Sequence, residues 1–336
     1  MGTYVFRVVI LILFVAVRSS DARIVPPLLV TKLASGAYSM GIEVADDGTV
    51  FVSSRDWCTV NRMLPSGILS VIAGSAGSCG LVDGVGTAAR FHYAEGMSRA
   101  GNILYIADEM NHRVRALDLI TYRVSTLTGS SVGYQNGPFV SALFYQPCGV
   151  NYYSSPTSSV LYINQYLDNA VRKADFNTGR VTTAASLGAP LFGCLNRNGT
   201  LLFLATQVQT IVRVDLVSGA VVTIAGAYGA ATFKDGVGTA ARFSSPGGLT
   251  FNTDETAIYV GDRGNRRLRR IQLSDMNVTT VAGTGAGSSI NGVPLESTFQ
   301  SFGFLLWRCD RLTTVCGVMA VEYAAGSGGY RSLKEL

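Results

Sequence analysis

The nonamer Asp-Gly-Val-Gly-Thr-Ala-Ala-Arg-Phe stands at 83–91 and again, letter for letter, at 235–243. An exact match of this length is a mark of internal duplication, and duplication constrains a fold more than composition does. Its terminal Phe recurs in weaker copies at Phe144, Phe192 and Phe299. The five anchors Phe91, Phe144, Phe192, Phe243 and Phe299 are then 53, 48, 51 and 56 residues apart. A unit of about fifty residues is the length of four short strands with their turns, the size of a propeller blade.

Each unit carries the same internal order. A Pro or Gly turn follows the anchor, as in Phe144-Tyr-Gln-Pro-Cys-Gly149 and Phe243-Ser-Ser-Pro-Gly-Gly248. Next comes a strand with an aliphatic-aromatic pair: Val50-Phe51, Leu104-Tyr105, Leu161-Tyr162, Leu202-Phe203, Ile258-Tyr259. An Arg-bearing strand follows, at Asn111-His-Arg-Val-Arg115, Ala170-Val-Arg-Lys173, Ile211-Val-Arg-Val214 and Asn265-Arg-Arg-Leu-Arg-Arg270. A β-branched strand closes the unit on small residues, as in Val71-Ile-Ala-Gly74 and Val221-Val-Thr-Ile-Ala-Gly226. Short strands bounded by Gly, Asn and Asp, without sustained helical periodicity after residue 22, predict an all-β chain. The 38 glycines fit repeated tight connections, and a charged fraction of 15% fits sheets covered on both faces.

The ends fit the same arithmetic. Val30-Thr-Lys-Leu-Ala-Ser-Gly36 has the form of a fourth strand without the three before it, and residues 299–336 have room for three strands without a fourth. The sequence therefore predicts a six-bladed β-propeller of four-stranded antiparallel blades, the last closed by the N-terminal strand. Closure removes an exposed sheet edge. The pattern blurs after Gly303, so a truncated or degenerate final blade stays open as the alternative. Residues 1–22 read as a secretory signal: Arg7, an apolar run from Val8 to Val17, then small residues at Ser20 and Ala22. The run is too short to span a bilayer comfortably. Residues 23–336 are then one domain in the secretory route, membrane-tethered only if the signal stays uncleaved as an anchor.

The motifs Asp83-Gly-x-Gly-x-x-Ala-x-Phe91, Leu104-Tyr-Ile-Ala-Asp108, Asn111-His-Arg-Val-Arg115 and Ile258-Tyr-Val-Gly-Asp262 resemble the NHL-repeat family, over residues 28–302. The resemblance implies a six-bladed propeller. It does not imply one function, because NHL propellers elsewhere are protein-binding ectodomains, RNA-binding modules or, more distantly, enzymes such as the peptidylglycine amidating lyase and the strictosidine synthase-like hydrolases.

Chemistry is sparse. A three-His zinc site needs more than the two histidines present, His92 and His112. Gly129-Ser-Ser-Val-Gly133 has the letters of a nucleophile elbow but no following helix. Glu43 and Asn151 are the metal-ligand candidates at first-strand starts, too few for an axial site. No catalytic residue, metal or cofactor is assigned. A net charge of +5 argues against nucleic acid as partner. Asp108 with Arg115, and Asp262 with Arg269, are expected to pair across adjacent strands. Antiparallel strands put the second-to-third connectors and the blade-to-blade connectors on one face. That face is the expected binding surface, with Arg55, Asp83, Glu109, His112, Tyr134, Asp235, Arg263 and Arg266 as candidates. Its loops at 75–82, 130–138 and 227–234 are expected to be dispensable to the fold. The expected function is a non-catalytic secreted or surface scaffold for an unidentified protein or glycan. The alternatives are a propeller hydrolase or lyase with an axial metal, and a divergent member without activity. Six cysteines in an oxidising compartment favour disulfides, with Cys58–Cys79 the first pairing and Cys148–Cys194 and Cys309–Cys316 weaker ones. Asn198 and Asn277 lie in N-glycosylation sequons.

Overall fold

The computed structural model describes the backbone of residues 9–14, 30–34, 39–287, 302–309 and 316–322, and side chains from residue 40 to residue 287. Strands dominate, and the helical turns among the described residues are three short 3-10 segments. Five antiparallel sheets follow one another as blades of a β-propeller. The first blade is Ser39–Val44, Val50–Ser54, Thr59–Met63 and Leu69–Gly74. The second is Ala94–Ala100, Ile103–Asp108, Arg113–Asp118 and Arg123–Thr128. The third is Pro147–Ser155, Ser158–Gln165, Ala170–Asp175 and Arg180–Ser186. The fourth is Pro190–Leu195, Leu201–Thr206, Thr210–Asp215 and Val221–Gly226. The fifth is Pro246–Phe251, Ala257–Asp262, Arg267–Gln272 and Asn277–Ala282.

Five such blades are one fewer than the repeat arithmetic predicts. The remaining strands come from both ends of the chain and form a separate four-stranded sheet, in the order Val30–Ala34, Val9–Phe14, Cys316–Glu322, Phe302–Cys309. The N-terminal side thus contributes two strands, not one. Val9–Phe14 lies within the segment read as a signal, so this arrangement is that of the uncleaved chain. Phe302–Cys309 runs beside both Pro246–Phe251 and Ser39–Val44. The anchor Phe299 lies outside the described residues.

The nonamer has a defined mechanical role. Gly84–Val85 leaves the connector and adds a short fifth strand to the outer edge of the second blade, paired with Arg123 and Val124. Gly236–Val237 repeats this on the fifth blade, and Gly137–Pro138 does so on the third. Gly86 then turns with φ of 56°, in the left-handed region where a Cβ is disfavoured. Ala89 and Phe91 follow and are fully buried between blades. Phe91 packs with Val60 and Ile72 of the first blade and with Leu104 and Val124 of the second. Phe243 sits likewise between Phe203 and Ile211 of the fourth blade and Ile258 of the fifth. Each such ring links two sheets that share no backbone hydrogen bonds.

The fourth blade departs from the pattern. It has no connector strand, and Phe192 is not an anchor. Phe192 lies within the inner strand and packs at the hub with Met40, Ile42, Val52 and Cys148. The spacing suggested an anchor because one Phe near the expected offset satisfies the arithmetic wherever it points. Arg213 is likewise one position out of register. Val212, not Arg213, occupies the place of Arg115, since Thr206 and Thr210 stand where Asp108 and Arg113 stand in the second blade.

Beneath the outer edge, a fully buried arginine ties each regular blade together. Arg115 donates from Nη1 to Asp108 Oδ2 at 2.7 Å and from Nη2 to Asp83 Oδ1 at 2.6 Å. Arg269 repeats both contacts with Asp262 and Asp235, each at 2.6 Å. Both arginines also donate to connector carbonyls, at Val82 and Arg90 for Arg115 and at Lys234 and Arg242 for Arg269. In the third blade Arg172 meets the amides Gln165 and Asn136, both at 2.7 Å. A guanidinium out of water needs acceptors, and the clamps meet both Nη groups of each arginine, while Nε of Arg115 and of Arg172 is left without one.

Candidate functional site

The inner strands meet around the axis, and glycine lets them do so. A Cβ on Gly96 would stand 2.7 Å from the carbonyl oxygen of Cys148 in the next blade. The residue before each axial glycine therefore lines the mouth on the connector face. Those residues are Met40, Glu95, Cys148 and Gly247, with Leu191 at the same level of the fourth blade. Outside them stand the first residues of the second-to-third turns: Arg55, Glu109, Tyr166, Gln207 and Arg263.

This mouth holds a charged cluster. Arg55 Nε is 3.2 Å from Glu95 Oε1, and Arg55 Nη2 is 3.2 Å from Glu109 Oε2. The same guanidinium lies 4.4 Å over the ring of Tyr93, a cation–π contact. Glu95 is 3% exposed and Glu109 is buried. Burial, and then the charge of Glu109, hold the Glu95 carboxyl well above the usual carboxylate range; Arg55 and Arg263 pull the other way. Two neighbouring carboxyls in a dry site resist joint ionisation. The Cys148 thiol, deeper at the hub, is pushed up by burial and then by the same two glutamates. It donates to the carbonyls of Asn164 and Pro190 and is inert as a nucleophile in that state.

The structure thus unites Arg55 and Glu109, with Arg263 acting on the same cluster through its charge. It sends the other candidates elsewhere. Asp83 and Asp235 belong to the buried arginine clamps, and each also accepts from the outer strand, at Thr126 and Thr280. Tyr134 lies on the rim of the third blade, 4.5 Å from the Arg172 guanidinium carbon, with its hydroxyl 2.5 Å from Thr183 Oγ1. His112 adopts φ of 57°, and its Nδ1 accepts the Gln146 backbone N–H at 3.2 Å. Burial and then Arg113 hold its pKa down. Arg266 is exposed and donates to the Gly285 carbonyl at 3.5 Å. The residues missed are Glu95 and Tyr93. Glu95 was detectable: it is a carboxylate directly before an axial glycine, where the other blades carry Met, Cys, Leu and Gly.

The loops of this face, expected to be dispensable to the fold, carry contacts of the clamps. Val82, Gln135 and Lys234 each give a carbonyl to a buried arginine, so removing 75–82, 130–138 or 227–234 would strip those clamps. Cys58 and Cys79 form a disulfide with Cα atoms 5.3 Å apart, joining a turn of the first blade to its outgoing connector. Cys148 and Cys194 do not pair, and both are free thiols. Because Phe192 takes a glycine's place, Cys194 is equivalent to Asn151 and lies three positions farther along the axis than Cys148's level. That is about 10 Å at the rise of a strand. Cys309 and Cys316 are backbone partners in their hairpin, while their side chains lie outside the described residues. Asn198 is exposed in a turn, and Asn277 is half-buried at the start of an outer strand.

Glu43 and Asn151 occupy equivalent levels of the first and third inner strands. Burial raises the Glu43 pKa to about 7, opposed by Arg99. Among the described residues no three His, Cys, Asp or Glu side chains converge as a metal site requires.

No family model matches the chain. NHL repeat-containing protein 2 of Bos taurus is 26% identical over 276 residues, covering 67% of this chain and 37% of that protein. The chain therefore spans little more than a third of that relative's length. An auxiliary nutrient binding protein from Bacteroides ovatus superposes with a TM-score of 0.64 at 12% identity, over 94% of this chain and 77% of that one. Virginiamycin B lyase from Staphylococcus aureus does so at 0.52 and 9%, over 84% and 94%. At such identities these two likenesses establish the fold alone. The curated relatives are NHL repeat-containing proteins at modest identity, in agreement with the motifs.

Proposed function

We propose that the chain is a non-catalytic NHL-type propeller that binds a protein or glycan through the connector face, at the mouth formed by Arg55, Glu95, Glu109 and Arg263. One observation carries this reading. The fold needs only small or apolar residues around the axis, yet the second blade buries two adjacent carboxylates there under an arginine. Such an arrangement costs stability and is retained where surface chemistry matters. In the same reading residues 1–22 send the chain into the secretory route, and the sheet shared by the two ends, which contains Val9–Phe14, serves as the sixth blade only while that segment stays uncleaved. The disulfide Cys58–Cys79 suits that compartment.

The test is a screen of the secreted protein against extracellular protein and glycan arrays. Arg55→Ala and Glu95→Gln are compared with the wild type, with circular dichroism confirming the fold. We expect a bound class that both variants weaken by about tenfold or more, since each removes a charge-assisted contact. A ligand bound equally by wild type and both variants would place the site elsewhere.

A further inference from the structure

On the connector face a repeated contact crosses from one blade to the next. The residue before the third strand has a left-handed backbone: His112 (φ 57°), Asn169 (53°) and Gln209 (71°) in the second, third and fourth blades. So does the residue before the first strand of the blade that follows: Gln146 (50°), Ala189 (43°) and Ser245 (49°). The first set latches the second. His112 Nδ1 accepts the Gln146 backbone N–H at 3.2 Å, Asn169 Oδ1 accepts that of Ala189 at 2.8 Å, and Gln209 Oε1 accepts that of Ser245 at 2.6 Å. In the first blade Cys58 holds the same place, with φ of 55°, and is bonded to Cys79 instead. Neighbouring blades are separate sheets, so each latch is a polar tie across a seam filled mainly by side-chain packing.

Amide oxygens keep their acceptor role at every pH. An imidazole nitrogen accepts only while unprotonated, and histidine is the side chain whose charge changes near neutral pH. With Gln146 donating to Nδ1, the neutral ring carries its proton on Nε2. A second proton would go to Nδ1 and set two N–H groups against each other. The groups that act on the ring by charge are Arg113, Glu109 and His92 of its own blade and Asp168 of the third. The Tyr145 ring stands edge-on to it at 5.7 Å. Asp168 itself accepts from the Tyr145 N–H and the Gln165 amide. Burial, then Arg113, outweigh the two carboxylates and favour the neutral ring. We propose that His112 is a pH-sensitive latch: on acidification it takes a proton, releases the Gln146 N–H and loosens the connector-face seam between the second and third blades, while the amide latches of the next two seams hold. Its turn also carries Glu109, whose carbonyl accepts the His112 N–H at 3.0 Å, so loosening reaches the rim of the axial mouth. The latch does not depend on that mouth binding a ligand. Because the folded protein takes up this proton less readily than the unfolded chain, the latch contributes fully above the ordinary histidine pKa and is lost as pH falls below it.

Amide hydrogen exchange on the intact protein, expressed as protection factors at about pH 7.5 and about pH 5, tests this at single residues. Protection of the Gln146 amide should fall by about tenfold at the lower pH, the size of one lost hydrogen bond, while Ala189 and Ser245 keep theirs. His112→Gln, which copies the Gln209 latch, should keep Gln146 protected at both; the wild-type comparison decides alone if that variant fails to fold. Unchanged protection of Gln146 on acidification, an equal loss at all three amides, or a loss that persists in His112→Gln would overturn the proposal.

Discussion

Arg115, Arg172 and Arg269 are fully buried, and each gathers the inner carbonyls of a connector and the polar ends of two strands. The clamp of Arg115 spans 32 residues to Asp83, and that of Arg269 spans 34 to Asp235. These pairs were half legible in the sequence: Asp108–Arg115 and Asp262–Arg269 follow from cross-strand register, but the second aspartate of each clamp looked like a loop residue. In the third blade the partners of Arg172 were not legible, because amides replace both carboxylates. Arg172 consequently touches no carboxylate in its clamp, and burial pulls its pKa down, opposed by Tyr134 and by the charge of Asp168 behind Gln165. Asn136→Asp would restore the charge found at Asp83 and Asp235. Asn136 is exposed, so solvent screens the gain, and we expect about 1 kcal/mol of added stability. Denaturant unfolding checks this, and a loss of stability would refute the view that the amide clamp is electrostatically incomplete.

Strands and connectors behave as units. Where an anchor Phe, its alanines and the short fifth strand occur together, the connector both closes its own blade and fills the seam to the one before. The fourth blade lacks the unit, and its inner strand fills the hub with Phe192 instead. Sequence spacing did not reveal that exchange, since it measures distance along the chain and not the direction of a side chain. The connector of the first blade is additionally held by Cys58–Cys79, which closes a loop of 21 residues. Cross-linking a loop of this size restrains the unfolded chain by about 3 kcal/mol. The double variant Cys58→Ala, Cys79→Ala should lose stability of that order in thermal unfolding while keeping its β-rich circular dichroism. An unchanged midpoint would mean that the connector is held by packing alone.

At the scale of the molecule, ring closure matters most. If the sheet drawn from both ends seals the ring, the inner strands beside it are as protected as those in the middle. Hydrogen exchange at Ile42 and Leu249 is then expected to be as slow as at Met97; fast exchange at the first two would mean an open arc. The sequence by itself determined the all-β repeat, the four-strand order within a blade, the seam positions of Phe91, Phe144 and Phe243 and the face on which connectors gather. Those features are periodic, and periodicity is written locally, residue by residue. Only the tertiary structure decided the rest. It paired Arg55 with Glu95 and Glu109, kept Cys148 and Cys194 apart and built one sheet from both ends. Those outcomes depend on which blades become neighbours and on a one-residue shift of register. A shift of one residue turns a side chain to the other face of its strand, and nothing in the spacing of the motifs records it.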